Sequence, residues 1–337
     1  MRILIVFLSG LGNMVLFTPT LRGIREKYPD AEITLWLKQK AAAEVVKSFG
    51  LGNNILPYYP KSIGNLFRQL SVFLRLRKTE YDIILTTFIE KGSKVRLMVR
   101  QLKAKKKLGY SIGSFTDRWF TDLLELDAQE HEMERHLRIA RFLGCGSAIQ
   151  EPYWDLKDSE EQIDNIMARY SIPEDKLLVG MHPGSSEGLS NKRWNASRFA
   201  ELADLISERY DTKILVFGGK EEIALGEKVA QCVKSCKPVL LSGQTTLSQT
   251  AALIKRCDCF ISNDSGLMHV AAAVRTPLIA LFGPTSIKKN APRSPNAIVI
   301  DGKQIDRESR SPIDNITVRD VLEAFEKLKG AETKDYE

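Results

Sequence analysis

The chain has 337 residues, 43% of them apolar and 27% charged, a composition that suits a globular protein long enough for two α/β domains. No run of 18 or more apolar residues occurs, so a helical bilayer span is not expected. The net charge of +7 is uneven. Residues 1–110 hold 20 Lys and Arg against 7 Asp and Glu, and the remainder holds 29 against 35, so the front half is expected to meet something anionic.

In chain order, residues 3–8 form an apolar run behind Met1 and Arg2. Only six apolar residues precede Gly10 and no clean small-x-small site follows, so the run reads as a buried first strand, not a signal peptide. Ser9, Gly10, Leu11, Gly12 and Asn13 read as a glycine loop at its end. Residues 14–28 read as a helix in which Pro19 either makes a kink or marks the true first turn, and 33–37 as a second strand. A dinucleotide fingerprint needs a third glycine where Val15 stands and an acidic residue where Lys38, Gln39 and Lys40 stand, which argues against a nicotinamide dehydrogenase.

Residues 61–78 and 95–107 both read as helices with one apolar and one cationic face. Such a helix is either a domain helix with a solvated face or one that lies on an anionic membrane. No nucleic-acid fold or aromatic platform accompanies the charge, so nucleic acid is not an expected partner. Between these stretches, residues 82–88 read as a buried strand with Glu90 just past its end. Glu90 either faces the same edge as the glycine loop or pairs on the surface with Lys91 or Lys94.

The pattern breaks at Pro152, Tyr153 and Trp154, and a helix over 159–170 leads to Pro173; the domain hinge is expected between these points. A second run of alternating strands and helices follows, the signature of a doubly wound parallel sheet. His182, Pro183, Gly184, Ser185 and Ser186 form its first loop, suited to a phosphate or a ribose. Lys192, Arg193 and Trp194 precede an amphipathic helix carrying Phe199, Leu202, Ala203 and Ile206. Residues 213–217 form a strand that ends in Gly218, Gly219, Lys220, Glu221 and Glu222, and 318–329 are a last amphipathic helix. The five cysteines read as reduced, packed thiols of a cytoplasmic chain, Cys232 and Cys236 on one helix face and Cys257 and Cys259 on one strand face; neither pair has zinc spacing.

The most informative stretch is 258–284. Residues 259–262 are fit for a buried strand, Asn263, Asp264, Ser265 and Gly266 for a turn, 267–274 for a small-residue helix, and 277–282 for the next strand. This βαβ unit puts Asp264, Ser265, Gly266 and His269 at a strand's carboxyl end, beside a helix amino terminus able to meet an anion. Read without a ligand, Asp264 or Ser265 is simply the N-cap and His269 a packed histidine.

The segment running from Ser262 through Asn263, Asp264, Ser265, Gly266, Leu267, Met268 and His269 to Ala273, followed by Thr276 to Thr285, resembles the donor-site signature of glycosyltransferase family 9. That family contains the ADP-heptose:lipopolysaccharide heptosyltransferases. The resemblance covers most of the chain and is strongest over 178–287. It implies the GT-B architecture, two Rossmann-like doubly wound sheets facing across a cleft: an acceptor-side domain over 1–160, a donor domain over 161–316, and a last helix and tail, 317–337, returning to the first domain. It also implies an inverting, metal-independent transferase with no cofactor. The nucleotide-sugar donor would be ADP-heptose or a similar compound, and the acceptor an anionic glycan or glycolipid; peripheral contact with an anionic membrane is read from the basic stretches alone, not from the family.

Carried onto matching positions, Ser185 and Ser186 line the donor phosphates, Lys192 neutralises the diphosphate, Glu222 or Glu221 holds the ribose, and Asp264 holds sugar hydroxyls. Ser265, Gly266 and His269 complete the pocket. The family's Gly-x-Gly-Asp acceptor loop falls on Gly10, Gly12 and Asn13, so an amide stands where the family has its base. An amide orients a hydroxyl but takes up no proton. Glu90 is the candidate substitute; the alternative is a sugar-nucleotide-binding protein that has lost transfer. An epimerase on the same architecture ranks behind both. The cysteine-rich segment of many relatives is absent between Pro292 and Ile316.

Overall fold

Two runs of strands, each wound in parallel, organise the protein. The computed structural model describes residues 1–58, 63–87, 93–146, 151–154, 156, 160–185 and 188–332, and the chain divides into two units, Met1–Gln150 and Glu151–Glu337. The sequence expectation placed that division some ten residues later.

In the first unit the strands are β1 (Arg2–Phe7), β2 (Glu32–Leu37), β3 (Asn54–Pro57), β4 (Glu80–Thr86), β5 (Lys103–Tyr110) and β6 (Asp122–Leu124). Its helices are α1 (Leu11–Lys27), α2 (Lys40–Ser48), α3 (Ile63–Lys78), α4 (Ser93–Gln101) and α5 (Glu132–Phe142). The sheet order is β3-β2-β1-β4-β5-β6, all parallel. Central strands of such a sheet are covered on both faces and read as continuous apolar runs, as β1 does with Ile3 to Phe7 fully buried. Helices α3 and α4 close one face through Phe73, Leu76, Val95 and Val99 packed on Leu4, Trp36 and Ile84. Helix α5 packs against α1, with Met133 and Leu137 on Leu16.

Helix α1 begins at Leu11, capped by Gly10, and Met14 N donates to Gly10 O at 3.1 Å. Gly12 and Asn13, read from sequence as loop, therefore occupy its first turn. Pro19 neither starts nor ends this helix but lies inside it. The carbonyl of Val15, which Pro19 has no N–H to reach, accepts from Thr18 Oγ1 at 2.7 Å instead.

The stretch 95–107 corrects the sequence reading more sharply. Its helix ends at Gln101, and Lys103 onward forms β5 beside β4. Pairing outweighs the helical pattern there. Lys105 reaches Asp82 on β4 at 2.7 Å, and Lys107 Nζ donates to the Arg100 carbonyl at 2.9 Å, so both cations are served from a strand.

The second unit repeats the plan. Its strands are β7 (Leu177–His182), β8 (Thr212–Val216), β9 (Val239–Leu240), β10 (Cys259–Asn263), β11 (Leu278–Phe282) and β12 (Ala297–Asp301). Its helices are α6 (Glu160–Arg169), α7 (Ala196–Arg209), α8 (Ile223–Cys232), α9 (Leu247–Lys255), α10 (Gly266–Ala273), α11 (Ile287–Asn290), α12 (Gly302–Ile305) and α13 (Val318–Glu332). The order is β12-β11-β10-β7-β8-β9, which read from the β9 edge repeats the strand order of the first sheet. The core runs through Val179, Met181, Phe199, Ile206, Val216 and Ile261.

Helix α13 packs its apolar face, Val321, Leu322 and Phe325, into this second core, on α7, β11 and β12. The sequence expectation sent this helix back to the first domain. Trp194 Nε1 on the Ile316 carbonyl and Arg198 on the Asp314 and Ile316 carbonyls deliver it to the second unit. The shared helix face expected of Cys232 and Cys236 is also corrected. Helix α8 stops at Cys232 because Asp204 captures the Lys234 and Ser235 amides beyond it. Similarly Cys257 precedes β10, which starts at Cys259, and none of the five cysteines is in a disulfide.

Candidate functional site

In each sheet the strand order reverses at one place, between β1 and β4 in the first and between β7 and β10 in the second. Ligands of open parallel sheets bind at the carboxyl edge of such a reversal, where diverging connections leave a crevice. The expected donor residues gather at the second.

Asn263, the last residue of β10, is fully buried and ties three segments together. Its amide donates to the Pro183 and Gly184 carbonyls at 2.9 and 3.1 Å, and its Oδ1 accepts from Trp194 N at 3.0 Å. The third bond fixes the stretch entering α7, and with it the 3₁₀ turn Ser190–Lys192. Lys192 Nζ thereby stands 2.7 Å from Asp264 Oδ2, in an ion pair whose side chains are only 12% and 7% exposed.

Ser265, not Asp264, caps α10, its Oγ accepting from Met268 N at 3.3 Å. The same hydroxyl lies 3.0 Å from His182 Nδ1 and 3.0 Å from Ser262 Oγ. On the other side of the imidazole, Nε2 meets Glu222 Oε2 at 3.1 Å. An ionised carboxylate only accepts, so Nε2 carries the proton and Nδ1 accepts from Ser265. Glu222 also accepts from the amides of Gly219 at 2.8 Å and Ser185 at 3.1 Å. Burial pulls the Glu222 carboxyl upward, but the hydrogen bond from His182, the Gly219 amide and the nearby Arg193 together hold it below the usual carboxylate range. Ser185 Oγ donates to the Leu189 carbonyl and accepts from Arg193 Nε at 3.0 Å.

Gly184 is required by this packing. A Cβ there would sit 1.8 Å from Glu222 Oε1 and 2.7 Å from His182 Nε2, well inside contact distance.

Of the residues expected from sequence, Ser185, Lys192, Glu222, Asp264 and Ser265 converge at this edge. Gly266 opens α10, and His269 is buried one turn along it. Of the carboxylate pair, Glu222 is buried in the cluster whereas Glu221 is exposed. Ser186 and Glu90 lie outside the described residues. In the first sheet, Gly10, Gly12 and Asn13 follow β1 at the reversal beside β4, with Asn13 half-buried in the first turn of α1. The sequence puts His182 in a ligand loop, Asn263 in a turn and Arg193 before a helix, but does not show that these three hold the cluster together. The signal available was a polar residue closing an otherwise apolar strand at the reversal, as both His182 and Asn263 do. Among the described residues no three His, Cys, Asp or Glu side chains gather as a metal set.

Paired buried charge and a capped helix end at the reversal of a parallel sheet suit an anionic ligand, and the relatives narrow the class. A family model described as glycosyltransferase family 9 (heptosyltransferase) matches residues 69–316. The chain belongs to glycosyltransferase family 9. It is 29% identical over 296 residues to lipooligosaccharide heptosyltransferase 2 of Campylobacter jejuni, a match covering 87% of this chain and 84% of that one. The solved structure of E. coli ADP-heptose lps heptosyltransferase II matches with a TM-score of 0.80 at 26% identity, covering 99% and 100% of the two chains. A family 9 glycosyl transferase of Veillonella parvula matches with a TM-score of 0.81 at 24% identity, covering 97% and 96%. The two six-stranded parallel sheets with their flanking helices are thus the GT-B fold, and this family 9 member is a glycosyltransferase.

Proposed function

We propose that this family 9 glycosyltransferase moves a heptose, or a closely similar sugar, from ADP or another nucleotide carrier onto a lipopolysaccharide-core or related anionic glycan acceptor, inverting the anomeric carbon. The names of its relatives support the sugar and acceptor class. The observation that carries the reading is the Lys192–Asp264 pair beside the Ser265-capped end of α10.

Displacing a nucleoside diphosphate from the anomeric carbon breaks a C–O bond and leaves the bonding electrons on the phosphate. Positive charge must therefore be held ready where that oxygen departs. Lys192 and the positive end of α10 supply it. In the free protein Asp264 occupies Lys192; an arriving diphosphate competes for the lysine, and the released carboxylate turns to the sugar hydroxyls. Glu222, held ionised by His182, Gly219 and Ser185, is the acceptor for ribose hydroxyls. Ser186 and His269 extend the phosphate pocket.

On the acceptor side, Asn13 orients the attacking hydroxyl through its amide, and the proton leaves through a separate base, for which Glu90 is our candidate. The basic first unit meets the anionic acceptor and, around it, the surface of an anionic membrane.

A nucleotide-sugar panel read by thermal shift tests the donor assignment. ADP-linked sugars are expected to stabilise the wild type, and Asp264→Ala to weaken the nucleotide sugar more than free nucleotide. Equal losses for both ligands would remove Asp264 from the sugar. Glu90→Gln is expected to abolish most transfer while donor binding persists; unchanged transfer would remove Glu90 as the base.

A further inference from the structure

The large apolar side chains left in water are not scattered evenly. Helix α3 turns Phe73 and Leu76 to the core, yet Leu66, Phe67, Leu70 and Leu74 stand exposed, the first two at 64% and 75%. Leu66, Leu70 and Leu74 are four residues apart and form one stripe along the helix, with Phe67 beside it. Leu97 on α4 and Phe115 in the 3₁₀ turn Phe115–Trp119 are exposed as well, and that turn packs against α4. Apolar patches of this kind mark a binding surface.

The charge on these elements has one sign. Neither α3 nor α4 contains an acidic residue. Arg68, Arg75, Arg77 and Lys78 are exposed on α3, and Lys94 and Arg100 on α4. Arg100 and Arg118 lie over the Trp119 and Phe115 rings. Asp117 in the same turn is taken up by Arg96 at 2.7 Å, which leaves the outer surface cationic.

We infer that the α3–α4 layer is a docking surface for an anionic lipid bilayer, with the α3 stripe entering the headgroup region and the flanking arginines pairing with lipid phosphates. A soluble acidic partner would need cations but not four exposed Leu and Phe in a row. A second copy of the chain would bring the same positive charge against itself. A bilayer supplies both counterparts at once. The position also fits the reaction. Helix α3 follows the carboxyl end of β3, so Leu66 and Phe67 in its first turns lie toward the edge of the first sheet where Gly10 to Asn13 also lie. A surface seated on lipid by this helix holds that edge near a lipid-linked acceptor. The inference rests on the proposed acceptor class for its purpose but not for its chemistry.

The test is co-sedimentation of the full chain with vesicles of phosphatidylcholine alone or with about one-third phosphatidylglycerol. The wild type is expected to bind the anionic vesicles and not the neutral ones, and to release as salt rises well above about 0.1 M, where the screening length is about 10 Å. Leu66→Ser with Phe67→Ser is expected to weaken binding on the order of 10- to 100-fold. Arg75→Glu with Arg77→Glu is expected to do the same and to flatten the salt dependence. All four side chains are exposed, so thermal melts should stay at the wild-type value in both variants, and transfer to a water-soluble, lipid-free acceptor should persist in the Leu66/Phe67 variant.

Binding that survives both double variants, or is equal on neutral vesicles, overturns the inference. So does a dimer in light scattering that the Leu66/Phe67 variant abolishes, with no vesicle binding. Vesicle binding without sugar transfer by the wild type leaves the docking surface standing and refutes the proposed reaction; transfer without vesicle binding does the reverse.

Discussion

Lys192→Ala separates what the lysine does for the fold from what it does for the ligand. At 2.7 Å, with an effective dielectric near 20, the attraction to Asp264 is about 6 kcal/mol before the cost of taking both charges from water. Removing the lysine leaves a carboxylate that is only 7% exposed without its counter-charge. Orphaning one member of a buried pair costs about 3–5 kcal/mol. For a unit of this size that lowers the melting temperature by roughly 10 °C.

The companion Lys192→Met with Asp264→Leu removes both charges and keeps the volume, and such exchanges are often neutral or stabilising. Urea and thermal melts of wild type, Lys192→Ala and the double variant separate the cost of the orphaned carboxylate from the loss of the pair as a whole. Nucleotide-sugar binding is measured on the same samples. Lys192→Ala is expected to be unstable and the double variant to be recovered, with neither binding donor. A Lys192→Ala protein as stable as wild type refutes the electrostatic reasoning. A double variant that binds donor normally removes Lys192 from the diphosphate.

Gly184→Ala forces a Cβ into the Glu222 carboxylate. It should cost about 1–3 kcal/mol by overpacking and push Glu222 off His182, so donor affinity should fall together with stability in paired melts and titrations. His136 makes a different prediction. Burial first, then the nearby Arg135 and His131, push its imidazole down to about 3. With the folded value below the unfolded one, near 6.5, the unfolded chain gains the proton first as pH falls. The stability present at neutral pH is then lost progressively below about 6.5, by about 2 kcal/mol at pH 5. Urea melts at pH 7.5 and pH 5 should show that loss in wild type and less of it in His136→Phe; equal loss in both places the acid sensitivity elsewhere.

Most of the second sheet was legible from sequence because its strands are short apolar runs closed by polar turns. The 258–284 stretch gave strand, turn, helix and strand within a residue or two of their observed ends. Lys192 was legible through the family resemblance alone, whereas the βαβ pattern already put Asp264 at a strand's carboxyl end. Their ion pair was not, because it depends on Asn263 pinning Trp194 across 69 positions of chain. The contacts of His182 are hidden from the sequence for the same reason: its partners Ser265 and Glu222 lie 83 and 40 residues away. The misread helix over 95–107 failed on local grounds. Four lysines near Leu97, Val99 and Leu102 mimic an amphipathic helix, and only pairing with β4 shows that Lys103 starts a strand. Helix α1 was read as starting late because two glycines suggested a loop, whereas Gly10 alone serves as the cap.

Sugar transfer is tested by incubating the wild type with ADP-heptose and a truncated lipopolysaccharide-core acceptor. Products are read by mass spectrometry and their anomeric configuration by NMR. The expected product is an acceptor heavier by one heptose, with the anomeric configuration opposite to that of the donor, one ADP released per transfer, and no product from Lys192→Ala. General-base catalysis is worth roughly 10²- to 10⁴-fold, so the identity of residue 13 gives the decisive control. Donor binding without product by the wild type, with transfer appearing in Asn13→Asp, contradicts the account and makes this chain a sugar-nucleotide-binding protein that has lost its base.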